Sequence, residues 1–273
     1  MAKRNYSDYE GFKKLADSAQ NIVALTGAGV SAESGIPVFR GAGGWWRSHR
    51  ATELATPEAF AANPALVWEF YHYRREVAFK SSPNNAHIAL AQYEEKCKNE
   101  GRQLTVITQN VDGLHYRAGS REVIELHGSL TKVKCTKCDH IDVNIENPIC
   151  EALKDRGDPI ANETEVSPIA VEDLPKCAKC KSLVRPYIVW FGERLDPDTL
   201  DRAMALIEEC DLCLVIGTSS IVYPAAMFAP RVAERGKPVA EFNINEEPAS
   251  DDFRFHFPGP CGTTLPKALG MKL

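Results

Sequence analysis

Apolar residues along the chain fall into two periodicities. Asp8 to Ala19 places Phe12, Leu15 and Ala16 at helical spacing, which predicts an amphipathic helix. The apolar residues that follow, Ile22 to Leu25, form a run suited to a buried strand. Similar runs at Leu104 to Ile107, Val123 to Leu126, Leu212 to Ile216 and Pro238 to Ile244 predict further strands. Between them, Glu58 to Lys80 (broken near Asn63-Pro64), Asn84 to Asn99, Pro197 to Glu209 and Pro224 to Arg235 read as helices. Asp196 before Pro197 is an N-cap with proline at the first helical position. Strands alternating with helices predict an α/β fold, and after Arg185 that pattern resumes with PYIVWFGE.

The first strand runs into LTGAGVSAESGIPVFR, Leu25 to Arg40, with a small-residue helix start at Ser31-Ala32-Glu33. A buried strand that ends in glycines and opens a helix presents backbone N–H groups and a positive dipole end, which suits a pyrophosphate. Gly27, Gly29 and Ala32 satisfy the dinucleotide spacing. The acid expected about 20 positions on to hold a ribose is missing. Trp45, Trp46, Arg47 and His49 stand there, with no carboxylate until Glu53, which disfavours an ordinary dehydrogenase. A tight turn without a ligand is the alternative. The next segment, GIPVFRGAGGWW, is too irregular for a buried element and reads as a flap over the ligand or a plain surface loop.

The other strand ends carry polar residues where open α/β sheets bind ligands: Gln109, Asn110 and Asp112, then Gly217, Thr218 and Ser219, then Asn243 and Asn245. His115 and His127 lie just past strands, and either could serve as a base or as a hydrogen-bonded structural histidine. Tyr71 and Arg74 share a helix face, where a phenol beside a guanidinium can hold a carboxylate. Solvated surface charge is the bland alternative for Arg74 and Arg75.

Of nine cysteines, Cys135/Cys138 and Cys177/Cys180 form two C-x-x-C knuckles in polar, lysine-containing sequence. Two knuckles can bring four thiolates into the tetrahedron of a structural Zn²⁺. Their separation is longer than the common ~15 to 20 residues. Cys210 and Cys213 border or enter an apolar run and read as core.

The chain has 273 residues, 44% hydrophobic and 25% charged, as a globular protein does. That length fits a large domain with a smaller insertion. A net charge of -5 disfavours nucleic acid as a partner. No apolar run approaches the ~20 residues of a membrane span. Met1 to Ser7 has no apolar signal core, which predicts a mature or cytosolic chain, and no transit peptide is visible in this numbering.

Taken together and in order, GAGVSAESGIPVFRG, TQNVDGLH, ELHGSL, the two knuckles, VWFGE, GTSS and FNIN resemble the sirtuin family over nearly the whole length. The resemblance implies a Rossmann-like, doubly wound parallel sheet with a smaller helical plus zinc-ribbon domain. Residues 1–40, 102–131 and 184–273 would form the NAD-binding domain, 41–101 a helical module with the acyl-lysine pocket, and 132–183 the zinc module. It implies NAD⁺ as co-substrate, contacted by Gly27, Ala28, Gly29, Ser31, Glu33, Phe39, Arg40, Trp46, Gln109, Asn110, Val111, Asp112, Gly217, Thr218, Ser219, Asn243, Asn245 and Cys261. The acyl oxygen would attack the anomeric carbon as nicotinamide leaves. His127 would then deprotonate a ribose hydroxyl, and water would release lysine and O-acyl-ADP-ribose.

EFYHYRRE and ELATPEAF resemble the class III branch, whose members are desuccinylases, demalonylases and deglutarylases. There Tyr71 and Arg74 would face the acyl carboxylate, and Ala55 would leave room for it. Alternatives on the same scaffold are a deacetylase or an ADP-ribosyltransferase; from another class, a non-catalytic NAD⁺ sensor or interaction module. The expected partners are acylated-lysine proteins or peptides, with neither nucleic acid nor membrane, and the expected state is a monomer. The resemblance places the chain in the mitochondrial matrix, with cytosol and nucleus as further locations.

Overall fold

The chain begins with α1 (Tyr9–Ser18), β1 (Asn21–Thr26) and the short helix α2 (Ala28–Ala32). A hairpin of β2 (Trp45–Trp46) and β3 (His49–Arg50) precedes α3 (Ala51–Leu54), α4 (Pro57–Ala62), α5 (Pro64–Lys80) and α6 (Asn85–Asn99). Then come β4 (Gln103–Thr108), α7 (Leu114–Ala118), β5 (Val123–Glu125), β6 (Gly128–Cys135), β7 (Ile141–Val143) and β8 (Val184–Ile188). The chain closes with α8 (Pro197–Glu209), β9 (Leu212–Ile216), α9 (Phe228–Glu234), β10 (Val239–Asn243), β11 (Phe255–Pro258) and α10 (Cys261–Leu269). This architecture comes from a computed structural model that describes residues 7–38, 44–161 and 167–271.

The larger sheet has six strands in the order β11-β10-β9-β1-β4-β5, every neighbouring pair parallel. From β1 the chain builds outward through β4 to β5, then returns to the other side of β1 for β9, β10 and β11. The topological switch point lies between β1 and β9, and open α/β sheets bind ligands outside the carboxyl ends of the strands there. Alternate residues of β1 face opposite cores, as a period of two requires. Ile22 and Ala24 join Phe12, Leu90 and Leu265 under α1, α6 and α10, whereas Val23 and Leu25 join Ile207, Phe228 and Val232 under α8 and α9. The sheet is thus doubly wound, as expected.

A second core unites α3 to α5 with a three-stranded antiparallel sheet ordered β7-β6-β8. β8 departs from the sequence expectation: Arg185 to Ile188 belong to this small sheet, and the return to the large sheet comes with α8. The reason is its alternating burial, which fits a strand half-exposed on one side, whereas β9 and β10 are buried throughout. The helix expected from Pro224 is a 3-10 turn over Ala225–Met227 followed by α9.

α5 fastens the small sheet. The Trp68 indole donates to Val184 O at 2.9 Å. The buried Arg75 guanidinium donates to the carbonyls of Leu130, Asn144 (3.0 Å) and Glu146 (2.8 Å). Burial pushes the Arg75 pKa down to about 10, so it remains charged at neutral pH. The helix that carries Tyr71 and Arg74 is therefore held in register with the cysteine knuckles.

Candidate active site

At the switch point, the glycine loop after β1 closes onto the turn after β9. Gly29 N–H donates to Gly217 O at 2.7 Å, and Gly27 N–H to Ile216 O at 3.1 Å. A Cβ on Gly29 would lie 2.7 Å from Gly217 O, and one on Gly217, at φ +57, would lie 2.3 Å from the Val30 nitrogen. Only bare backbone fits between these two turns. The expectation of free amides is therefore not met at Gly27 and Gly29, whose N–H groups bind protein carbonyls. Helix α2 starts at Ala28, earlier than the sequence suggests, and Ser31 lies inside it.

The side chains at this edge are cross-linked. Ser31 Oγ donates to Asp112 Oδ2 at 2.8 Å and accepts from Asn110 Nδ2 at 3.1 Å, while Asn110 Nδ2 also reaches Gly27 O at 2.9 Å. Asp112, 7% exposed, takes the Leu114 amide on its other oxygen. Gln109 Nε2 donates to Thr218 Oγ1 at 3.0 Å, and Asn243 Nδ2 to Thr218 O at 2.9 Å. Glu33 Oε1 accepts the Gly262 amide at 2.7 Å, beside the buried Cys261 thiol, whose pKa burial pushes up to about 12. Ser219 and Asn245 are exposed at the ends of β9 and β10, and Val111 is buried in the second core. Residues from five strand ends thus meet along one edge, and their donors and acceptors suit a dinucleotide.

His127 stands beyond β5, half-buried, with Nδ1 3.0 Å from Gln109 O. A carbonyl only accepts, so Nδ1 carries the proton and Nε2 presents a lone pair. Burial lowers the His127 pKa, partly offset by the Gln109 carbonyl, and keeps the imidazole neutral near pH 7. Gly128 makes this placement possible: at φ +83 it lies against β8, where a Cβ would meet Tyr187 O at 2.0 Å. His115, the other candidate base, is 2% exposed. Its Nε2 lies 2.9 Å from Thr26 Oγ1 and its ring 4.8 Å from that of His87. Burial holds its pKa well below the usual range, and it reads as a structural histidine.

Tyr71 is fully buried, and its hydroxyl accepts from the Trp190 indole at 2.9 Å. That leaves the hydroxyl proton to donate. Burial pushes its pKa up to about 12, so it stays a neutral donor. Arg74, one turn on, is half-buried and lies 5.7 Å from the Phe70 ring centre. Burial lowers its pKa while Tyr71 and the Asp112 carboxylate raise it, so phenol, guanidinium and Asp112 share one electrostatic neighbourhood. Ala55 and Val111 lie in the same apolar core as Tyr71. An anion would meet two strong donors beside an apolar core, with the Asp112 carboxylate also within the guanidinium's field.

Trp46 departs from the flap expectation. It is 1% exposed, packed edge-on against Phe70, and donates its indole N–H to Gly157 O at 3.0 Å. Arg47 beside it pairs with buried Glu69 at 2.7 Å, whose other oxygen takes Arg156 at 3.2 Å. Phe39 and Arg40 lie outside the described residues.

The Sγ atoms of Cys135, Cys138, Cys177 and Cys180 all lie within 4.8 Å of one another. The Cys135–Cys180 and Cys138–Cys177 separations are 3.4 and 3.7 Å. A tetrahedron with Zn–S bonds of about 2.3 Å has edges of about 3.8 Å, so the thiols fit zinc. The amides of Lys137 and Cys138 point at Cys135 Sγ, as donors to a thiolate would. With every position filled by protein, the ion's role is structural. Metal analysis is expected to find one zinc per chain. Chelation is expected to lower the melting temperature and loosen β6 to β8; a metal-free protein with unchanged melting would contradict the assignment.

Sequence reasoning missed the Thr26–His115–His87 network, the Trp190 donor to Tyr71 and the arginines on Glu69. It also missed a buried pair, Glu241 and His256, joined across β10 and β11. The C-terminal β11 and α10 were not read from the sequence at all, although FHF and the glycine-proline pair before Cys261 carry strand and helix-start signals.

A family model described as the Sir2 family matches residues 27–224. A Daphnia pulex protein named NAD-dependent protein deacylase is 58% identical over 266 residues, 96% of this chain and 96% of its own. A Canis lupus familiaris protein named NAD-dependent protein deacylase sirtuin-5, mitochondrial, is 56% identical over 268 residues, 97% of this chain and 86% of its own. The solved structure of a Sir2 homologue–NAD complex is 42% identical with a TM-score of 0.82, covering 98% of this chain and 94% of its own. With that sheet, that edge, a family model over residues 27–224 and relatives aligned over most of their length, the chain belongs to the Sir2 family.

Proposed function

We propose that this protein is an NAD-dependent protein-lysine deacylase that removes acidic acyl groups (succinyl, malonyl and glutaryl) from lysine in mitochondrial proteins or peptides. The observation that carries the acidic preference is the half-buried Arg74 guanidinium beside the buried Tyr71 hydroxyl, one helical turn apart on α5. A carboxylate entering an apolar pocket needs a cation, and a charge-assisted hydrogen bond stabilises it by about 1.5 to 3 kcal/mol. Ala55 lends the room that the extra carboxylate takes up.

The dinucleotide would lie along the sheet edge. Asp112 and Asn110, held by Ser31, offer carboxylate and amide oxygens as acceptors to its polar end. Bound NAD⁺ supplies the electrophilic sugar carbon that takes up the acyl oxygen. His127 contributes a neutral Nε2 to take a ribose proton, with its tautomer fixed by Gln109 O. The zinc module acts at a distance, by holding β6 and β8 against α5.

A peptide panel carrying acetyl-, malonyl-, succinyl- and glutaryl-lysine, with and without NAD⁺, tests this reading by mass spectrometry. Turnover is expected only with NAD⁺, with nicotinamide and O-acyl-ADP-ribose as products. Acidic acyl groups should be favoured over acetyl by roughly 10²-fold or more, the worth of two such contacts. Equal rates on acetyl-lysine would remove the acidic preference, and labelled ADP-ribose on an acceptor protein would replace deacylation with transfer.

A further inference from the structure

β10 is buried throughout, yet its middle residue is a glutamate, Glu241, 1% exposed. Its register partner on β11 is His256, 2% exposed. The sheet puts both side chains on the same face, with His256 Nδ1 3.2 Å from Glu241 Oε2. Two buried ionisable groups facing each other across this strand pair would be replaced by hydrophobic ones at no loss if packing were their only task.

Their remaining atoms all point at one loop. His256 Nε2 lies 2.9 Å from Asn245 O, and since a carbonyl only accepts, Nε2 donates. Glu241 Oε2 accepts the Ala249 amide at 2.8 Å. Glu241 Oε1 lies 3.4 Å from Asn243 Nδ2, which also donates to Thr218 O. The pair therefore holds both ends of the segment from Asn243 to Ala249 and, through Asn243, the turn after β9. Strand spacing says which end of the dinucleotide this segment meets. With strands about 4.8 Å apart, β10 lies roughly 19 Å from β5 across the edge, about the length of an extended dinucleotide. If the reacting sugar sits by His127, past β5, the adenosine end reaches the 243–249 segment.

We propose that Glu241 and His256 are positioning residues for the adenosine half of the dinucleotide: they fix the 243–249 loop from beneath and so set NAD⁺ affinity, without contacting the reacting atoms. The proposal rests on the NAD-dependent reading above. ADP-ribose binding by calorimetry tests it without turnover, beside steady-state kinetics. Glu241→Ala and His256→Ala are expected to raise the ADP-ribose Kd and the KM for NAD⁺ about tenfold or more. The kcat and the KM for the acyl peptide should stay within about twofold of the unaltered chain. Glu241→Gln and His256→Gln, which keep an acceptor for Ala249 and a donor for Asn245, should recover part of the loss. These variants also serve if the alanine forms do not fold.

Unchanged ADP-ribose affinity in the glutamine and alanine variants would overturn the proposal. So would losses in kcat and peptide KM that track the melting temperature, because the pair would then be structural only. If the unaltered chain binds ADP-ribose but deacylates nothing, the deacylase reading fails while this inference stands. If it binds neither ADP-ribose nor NAD⁺, both fall.

Discussion

Arg74→Met is expected to lower kcat/KM on a succinyl-lysine peptide by roughly 10²- to 10³-fold, and to change kcat/KM on the acetyl-lysine peptide by no more than about threefold. Methionine keeps an unbranched apolar stem and removes the guanidinium, which lies 5.7 Å from the Phe70 ring centre. The succinyl carboxylate would then be desolvated against Tyr71 alone, and a buried charge stripped of its partner costs about 2 to 5 kcal/mol. Acetyl-lysine brings no carboxylate, so it has no charge-assisted contact to lose. Comparing the two substrates on one variant cancels any general damage to the fold. Equal losses on both would show that Arg74 shapes the pocket rather than reads charge. Tyr71→Phe is a less clean probe, because it also takes the acceptor from the Trp190 indole.

His127→Ala is expected to reduce kcat by about 10²- to 10⁴-fold, the usual worth of a general base, with KM for NAD⁺ little changed. The Nδ1 bond to Gln109 O is the side-chain hydrogen bond that the substitution removes, so melting should shift only slightly. The pH profile of the unaltered enzyme gives a second reading of the same residue. The base must be neutral to act, and burial lowers its pKa from the usual value near 6.5. Activity should therefore persist as pH falls to about 6.5 and decline only below it, as protons fill Nε2. An acid limb centred above that value, or an alanine variant within tenfold of the parent, would move the base elsewhere. His115 would not inherit the role, since its ring is sealed against Thr26 and His87.

Much of this was legible in the sequence because the signals are local. Asp196, the expected N-cap, stands before α8 and accepts an amide from its first turn, and Asp8, Asn63 and Asn84 do the same for α1, α5 and α6. The apolar runs of β1, β4, β9 and β10 are buried strands where expected, and the two C-x-x-C knuckles meet across the small sheet. Tyr71 and Arg74 share a face because a helix fixes their separation.

What escaped is non-local. The spacing of Gly27, Gly29 and Ala32 reads as a phosphate loop, but nothing in it says that the glycine amides are taken by Ile216 and Gly217. Trp46, in a glycine-rich stretch, looks like part of a loop; its burial depends on Phe70 and on Gly157, far along the chain. Glu241 and His256 are ordinary residues in sequence, and only parallel pairing of β10 with β11 makes them partners. The apolar residues of PYIV read as a resumption of the α/β pattern, but the alternation in β8 fits the small antiparallel sheet, where it pairs with β6.

The central claim is that a guanidinium on α5 reads the negative end of the modification while His127 serves the sugar at the sheet edge. A crystal structure with a succinyl-lysine peptide and a non-reactive NAD⁺ analogue tests it most directly. The expected result is a distal carboxylate oxygen about 2.7 to 2.9 Å from the Arg74 guanidinium, hydrogen-bonded to Tyr71 as well. A carboxylate pointing into solvent, with Arg74 turned away from it, would contradict the account.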